Sequence, residues 1–417
     1  MRMLITAAAL SLTASMAMAE TTITVQYAYP ELFENTQKEI LQAFNKAHPD
    51  IKVEFRASYK DYEDAAQRVL REGITGNVPD VTFQGLNRVR ILADKGIAQP
   101  LDGFIAGEKD FDAAGYHSGM LQAGAANGKV YGLPFAISLP IVYFNMDLVK
   151  KAGVDENSLP TTWDGIIALG AKIEAQGEAD GVMTEWAITG NWIWQAMVFA
   201  NGGSMLNAAE TEVAFDGAAG KKAIGILARL ATEAKSPNLS PNEMRAAFAA
   251  GKLGVMVTTT ARLNVITQQV GGKFALKTGN YPDLQPGVSH LPAGGNVALI
   301  TAKDKDKQKA AWQFLKFWTG PEGGAIMVKT TGYMAPNNKA ADLLKDFYVN
   351  NPNQAVALSQ LPYLTGWYAF PGDNGLKITD VIKDRLQSVM DGSRAKEAET
   401  VLADMANDVR ALLPRGN

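Results

Sequence analysis

Chemistry in a folded chain needs particular residues within reach of one another, and several of the usual ones are missing here. The 417 residues contain no cysteine, which removes disulfides, thiolate nucleophiles, Fe–S clusters and Cys-ligated zinc together. Three histidines, His48, His117 and His290, stand far apart and in no HxH or HExxH spacing. That argues against a His-rich metal site and a His-based triad, so neither metal nor cofactor is expected. Asp304-Lys305-Asp306 opens like a calcium loop but lacks the glycine and the closing glutamate. Neither GxxxxGK[ST] nor GxSxG occurs, which argues against an NTPase or a serine hydrolase. What the chain does offer is aromatic and amide side chains just beyond stretches that read as strands. Gln26, Tyr27 and Tyr29 form one group, Gln84 and Asn87 a second, and Asn191, Trp192 and Trp194 a third. Thr259 and Arg262 follow another strand, Tyr333 sits in a Thr-Gly-Tyr turn, and Trp367, Tyr368 and Asp373 occupy an irregular C-terminal loop. Aromatic faces stack on the apolar C–H face of a pyranose, while amides, hydroxyls and carboxylates bond its hydroxyls. This is the chemistry of a carbohydrate site. A secreted carbohydrate-active enzyme would need two opposed carboxylates. Asp80, Glu185 and Asp373 are available, but no spacing pairs them.

The elements that must hold these residues alternate. Ile23, Val25 and Tyr27 alternate with polar residues as a strand does, and Ile40, Leu41 and Phe44 recur at helical spacing until His48-Pro49-Asp50 stops them. Ile51, Val53 and Phe55 give a second strand, Tyr62–Arg71 a helix, Val81–Phe83 a third strand and Leu86–Asp94 a helix. Further on, strands are expected at Ile141–Phe144, Trp186–Thr189, Gly254–Val257 and Val297–Thr301. Helices are expected from Trp163, from Trp192, at Ala218–Ala234, Met244–Ala250 and Lys307–Trp318, and from Pro321, a favoured first helical residue. Ile378–Met390 and Ala395–Leu413 close the chain. Such alternation predicts an α/β protein with mostly parallel sheets flanked by helices. Trp163, Trp186, Trp312 and Trp318 read as packing residues.

Length predicts two or three domains. Lys+Arg 40 against Asp+Glu 43 gives a net charge of -3, which argues against nucleic acid as a partner. Arg2, the apolar run Leu4–Leu12 and Ala17-Met18-Ala19 before Glu20 match a cleaved export signal over residues 1–19. No cysteine follows the cleavage site, so a lipid anchor is not expected, and no later segment has eighteen consecutive apolar residues. These features place the mature chain in the periplasm.

Four stretches carry a family resemblance. They are Phe44-Asn45-Lys46-Ala47-His48-Pro49-Asp50-Ile51-Lys52-Val53; Gly132-Leu133-Pro134-Phe135 with Ile141-Val142-Tyr143-Phe144-Asn145; Pro160-Thr161-Thr162-Trp163; and Gly294-Gly295 with Ala310–Leu315 and Thr331-Gly332-Tyr333-Met334-Ala335-Pro336. In this order they resemble the extracellular solute-binding proteins that feed ABC importers, the cluster containing maltose-binding protein. Thr331–Pro336 and Phe347–Pro352 are most similar to the glycerol-3-phosphate-binding branch. One feature departs from that branch: an arginine that grips phosphate is missing, for Leu361–Asp380 has Lys377 as its only basic residue. A guanidinium fork is the natural phosphate clamp, so its absence argues against glycerol-3-phosphate itself.

The resemblance implies a two-lobed periplasmic-binding-protein fold of type II. One lobe would hold residues 20–134 and 294–345, the other 135–293 and 346–417, with crossings near Pro134–Ser138, Leu291–Gly295 and Lys345–Asn350. It implies a solute, expected to be a carbohydrate or sugar–glycerol conjugate, buried in the interlobe cleft by hinge closure. The partners would be the permease subunits of an ABC importer; a monomer is expected and no catalysis. Carried over residue by residue, Tyr27, Tyr62, Ser138, Trp192 or Trp194, Thr259, Gly295 and Tyr333 match ligand positions. Gly294 joins them as a hinge or a close backbone approach. The alternative solute is an anionic glycerol ester or sugar acid held by Arg262, Arg88 or backbone N–H groups. A role in chemoreception is compatible with either.

Overall fold

The computed structural model describes residues 20–116 and 121–414; the export-signal segment and His117 lie outside them. Nine strands build two sheets. In chain order they are β1 (Thr21–Gln26), β2 (Ile51–Phe55), β3 (Val81–Gly85), β4 (Gly132–Ser138), β5 (Pro140–Asn145), β6 (Asp180–Thr184), β7 (Leu253–Thr259), β8 (Leu276–Asn280) and β9 (Gly294–Ile300). The helices used below are α1 (Pro30–Ala47), α2 (Tyr62–Thr75), α3 (Trp163–Glu174), α4 (Trp192–Ala200), α5 (Ala218–Thr232), α6 (Pro241–Ala249), α7 (Lys305–Thr319), α8 (Pro321–Thr330), α9 (Gly375–Met390) and α10 (Ala398–Leu412).

The first sheet has the order β2-β1-β3-β9-β4 and the second β8-β5-β7-β6. β3 is buried along its whole length, as a central strand covered on both faces must be. α1 turns Phe33, Ile40 and Phe44 onto this sheet, and α7 turns Ala311, Phe314, Leu315 and Trp318. Both stripes keep the three-and-four spacing of one helix face. Trp318 stacks on Phe314 at 3.7 Å and edges Phe44 at 5.3 Å. Asp304 caps α7 by accepting from the backbone N–H groups of Asp306 and Lys307, so the Asp-Lys-Asp run is a helix start. Trp163, Trp186, Trp312 and Trp318 are all buried.

Two expectations are corrected. The sheets are mixed, not mostly parallel: β1 runs parallel to β2 and β3, but β9 is antiparallel to both β3 and β4. In the second sheet β5 is antiparallel to β7 and β8, and only β6 and β7 are parallel. The cause is the pair of crossovers. β4 runs straight into β5, and β9 enters the first sheet from the other side, so neither arrives by a helical return. The strand expected at Trp186–Thr189 instead spans Asp180–Thr184. The Trp186 N–H bonds the Thr184 carbonyl at 2.9 Å, which turns the chain off the sheet.

β4 stays paired in the first sheet as far as Ser138, and Leu139 is the single residue between it and β5. Leu291–Pro292 pairs with Leu364–Thr365 just before β9. Later, Phe347 and Tyr348 pack on the first sheet's core, whereas Asn353 holds Thr278 of β8. The third passage therefore lies between these two points.

Candidate functional site

Between the sheets lies a cleft of about 660 Å³. Its walls come from chain segments at strand ends and helix starts, where open α/β sheets present their ligand-facing edge. From the first sheet's side come Tyr29 and Glu31 after β1, Lys60–Glu63 at the start of α2, Ser138, Gly294 and Gly295, and Tyr333 after α8. From the second come Glu185 and Ile188–Asn191 after β6, Trp192, the start of α6, Thr259 and Arg262 after β7, Trp367 and the first turns of α9.

Eleven of the eighteen aromatic, polar and glycine residues singled out from sequence as ligand contacts line this cleft: Tyr29, Tyr62, Ser138, Asn191, Trp192, Thr259, Arg262, Gly294, Gly295, Tyr333 and Trp367. The other seven lie outside its lining. Gln26 Nε2 donates to the Ala57 carbonyl at 2.5 Å, and Tyr27 packs edge-on against Phe55. Gln84 turns its amide back to Thr82. Asn87 is buried beside Gly190. Trp194 faces the core and packs on Phe215, because two residues along a helix turn the side chain about 200° from Trp192. Tyr368 gives its hydroxyl to Glu210 at 3.0 Å. Asp373 is exposed and pairs with Lys95 at 2.8 Å. The three carboxylates named for a glycosidase are not gathered. Only Glu185 lines the cleft, while Asp80 is bound to Thr24 and Lys307 beneath the first sheet.

Sequence reasoning missed most of the charged rim. Arg262 donates to Glu31 at 3.1 Å across the cleft and lies over the Tyr29 ring at 5.6 Å. Arg245 donates to Glu185 at 2.6 Å and to Asn242, and Glu185 also accepts from the Thr258 hydroxyl. Glu63 accepts from Arg88 at 2.9 Å and, across the cleft, from the Thr189 hydroxyl. Burial pushes the Glu63 carboxyl up, with the Arg88 guanidinium pulling the other way. One signal was legible: Ser240-Pro241-Asn242-Glu243 is a capping-box sequence, and the structure forms both of its bonds at the start of α6.

The aromatic wall is built by packing. Tyr29 meets Tyr62 edge-on at 4.9 Å, and the Tyr62 and Tyr333 hydroxyls stand 3.4 Å apart. Asn296 Nδ2 donates to the Tyr62 hydroxyl at 3.1 Å. Burial raises the Tyr29 and Tyr62 phenols well above their usual range and takes Tyr333 to about 12, so all three remain neutral hydroxyls. Trp192 fixes its indole N–H on the Pro292 carbonyl at 2.9 Å, with Trp367 at a ring distance of 6.3 Å. A Cβ on Gly294 would stand 2.8 Å from the Trp192 ring. Gly295 has φ 116°, and a Cβ there would lie 1.9 Å from the Ala136 carbonyl oxygen. Both glycines are required by the close approach of backbone and ring. Asn191 is 3% exposed, and its Oδ1 has no donor among the described residues.

Two sheets with a polar and aromatic cleft between them, joined at Leu139 by a single-residue crossover, define a two-lobed ligand receptor. Residues 28–325 match the model of the bacterial extracellular solute-binding proteins, and the chain belongs to that family. The sn-glycerol-3-phosphate-binding periplasmic protein UgpB of Salmonella typhimurium is 25% identical over 424 residues, covering 94% of this chain and 93% of the relative. Among solved structures, UgpB of Mycobacterium tuberculosis in complex with glycerophosphocholine superposes with a TM-score of 0.81 at 22% identity, covering 93% of this chain and 97% of that one. An ABC substrate-binding protein of Listeria monocytogenes in complex with cycloalternan reaches 0.80 at 21% identity, covering 94% and 98%. The chain is thus the periplasmic substrate-binding component of an ABC importer. No helix among the described residues is long and apolar enough to cross a membrane.

Proposed function

We propose that the solute is a neutral, hydroxyl-rich molecule, a carbohydrate or a sugar–glycerol conjugate. It would bind in the cleft without turnover and be handed to the permease by a monomeric receptor. The observation that carries this reading is that both arginines lining the cleft already face a carboxylate, Arg262 on Glu31 and Arg245 on Glu185. At either arginine a dianion would have to displace an existing pair, at a desolvation cost; the other cations of the lining are the exposed Lys60 and Lys383, the latter paired with Asp380. A neutral sugar meets instead neutral phenols, two indoles, the hydroxyls of Ser138 and Thr259 and the acceptor of Asn191. On this reading residues 20–138 with 294–348 close against 140–293 with 353–417, later than the expected boundaries at 134 and 345 because β4 stays in the first sheet to Ser138 and Phe347 and Tyr348 pack on that sheet's core; the hinge falls where the chain crosses at Leu139.

A second reading, an anionic glycerol ester or sugar acid, is favoured by the glycerol-3-phosphate and glycerophosphocholine bound by the relatives and by Arg262, which spends one N–H bond on Glu31. A thermal-shift screen of mono- and oligosaccharides, glycosyl-glycerols, glycerol-3-phosphate, glycerophosphodiesters and sulfonated sugars separates the two. A solute at 100 times its Kd adds about 2.7 kcal/mol, a rise of a few degrees. A neutral hit unaffected by 0.5 M salt supports the first reading. A hit confined to anions and weakened by salt or inorganic phosphate replaces it with the second. Silence across the whole panel overturns both.

A further inference from the structure

We infer that Trp367 is a partition that sets the length of solute this receptor accepts, and that the solvent-open recess beyond it would extend the cleft if the ring were removed. This deepens the solute reading above and rests on it. A second cavity, of about 560 Å³, lies behind the cleft. Leu86, Val89 and Arg90 contribute to it from one side, and Phe199, Glu210 and Tyr368 from the other. Trp367 is the one residue that lines both cavities. It is 7% exposed. Towards the front its ring faces Trp192, and its indole N–H points at the Gly190 carbonyl at 3.5 Å. Gly190 has φ 60°, and a Cβ there would stand 2.8 Å from the indole, so the ring lies directly against backbone. The two spaces meet at this residue, and the second runs along its neighbours Thr365, Gly366, Tyr368 and Ala369.

The rear cavity has the chemistry of the front one. Arg90 and Glu210 pair at 2.7 Å, and the Tyr368 hydroxyl donates to Glu210 at 3.0 Å. Leu86, Val89 and Phe199 supply apolar surface beside them. Ion-paired and hydroxyl groups next to apolar faces suit further hydroxylated units better than a hydrocarbon tail. An indole can exclude a longer ligand because it is large, rigid and buried on both sides. On this inference, removing the ring joins the two spaces.

The test uses the mature chain and two ladders: maltodextrins of one to four glucose units, and glycerol-3-phosphate, glycerophosphocholine and glycerophosphoinositol. Wild type, W367A and W367L are titrated calorimetrically with each rung; W367L serves where W367A does not fold. Wild type is expected to bind the short rungs of one ladder and to lose at least tenfold towards the long ones. The variants are expected to lose affinity for the short rungs and to gain at least tenfold for the long ones. Refilling the rear space with A126W should cancel that gain. The inference is overturned if folded variants show no gain for long rungs, or if wild type binds long rungs as tightly as short ones. Silence of every protein towards both ladders overturns the partition, and the solute reading falls with it when the wider thermal-shift panel is silent too. A wild-type hit without a variant gain overturns the partition alone.

Discussion

At the residue scale the cleft depends on a few groups that cannot be trimmed without leaving a partner stranded. The Tyr62 hydroxyl accepts from Asn296 and faces Tyr333. Y62F would leave the buried Asn296 donor unpaired, a cost of about 1–3 kcal/mol. A fall of several degrees in melting temperature and at least a tenfold loss of solute affinity are expected; unchanged values for both would show that the hydroxyl has no part in the site. Gly295 is more demanding still. G295A puts a Cβ against the Ala136 carbonyl at a φ that L residues avoid, worth roughly 1–3 kcal/mol for the backbone alone, and urea denaturation should show a loss of unfolding free energy of at least that size. Sequence could find Gly295 and Tyr333 because each sits in a stretch that carries the family resemblance, and Tyr62 and Ser138 only as positions carried over from it. It could not choose between Trp192 and Trp194, since both follow the same strand and only the core's position decides which face is wet. It also missed the Glu31–Arg262 and Glu185–Arg245 pairs, whose members lie 231 and 60 positions apart and share no local pattern.

At the scale of elements, alternation and capping residues located most helices and strands, but strand direction was not legible. A strand that arrives by a one-residue crossover looks in sequence like one that arrives by a helix. Side chains then tie the elements together at points no periodicity announces. Asp80, at the entry to β3, accepts from the Thr24 backbone and hydroxyl and from Lys307 of α7. Glu108 accepts from Trp312 and Lys316, both at 2.7 Å, which anchors the chain after Asp102–Gly107 to α7. The Lys316 and Trp312 hydrogen bonds hold the Glu108 carboxyl below its usual value. A depressed acid stabilises the fold above its unfolded value near 4.5, and that contribution disappears as pH falls through the folded value. Wild type should therefore lose stability on acidification more steeply than E108Q across this range. Parallel melting curves of the two proteins between pH 5 and 3 would refute the assignment.

At the scale of the whole molecule, the contacts that span the cleft decide how much binding energy is left for the solute. Arg262 to Glu31 with Tyr29 beneath it, and Thr189 to Glu63, join the lobes across the cleft. A receptor that clasps itself closed binds solute in a form already assembled, whereas one held open loses affinity in proportion to the closed fraction it lacks. R262Q removes the charge from one clasp while keeping a hydrogen-bonding side chain. The absence of native cysteines lets a dye pair at K46C and K172C, exposed positions on α1 and α3, report lobe separation by single-molecule energy transfer. Without solute, R262Q is expected to populate the separated state more than the parent. At saturating solute the two should reach the same distance, and the ratio of their affinities should match the ratio of their closed fractions. Equal distances without solute would mean the clasp does not hold the lobes. An affinity loss larger than the population shift would mean that Arg262 touches the solute itself, the result the anionic reading requires.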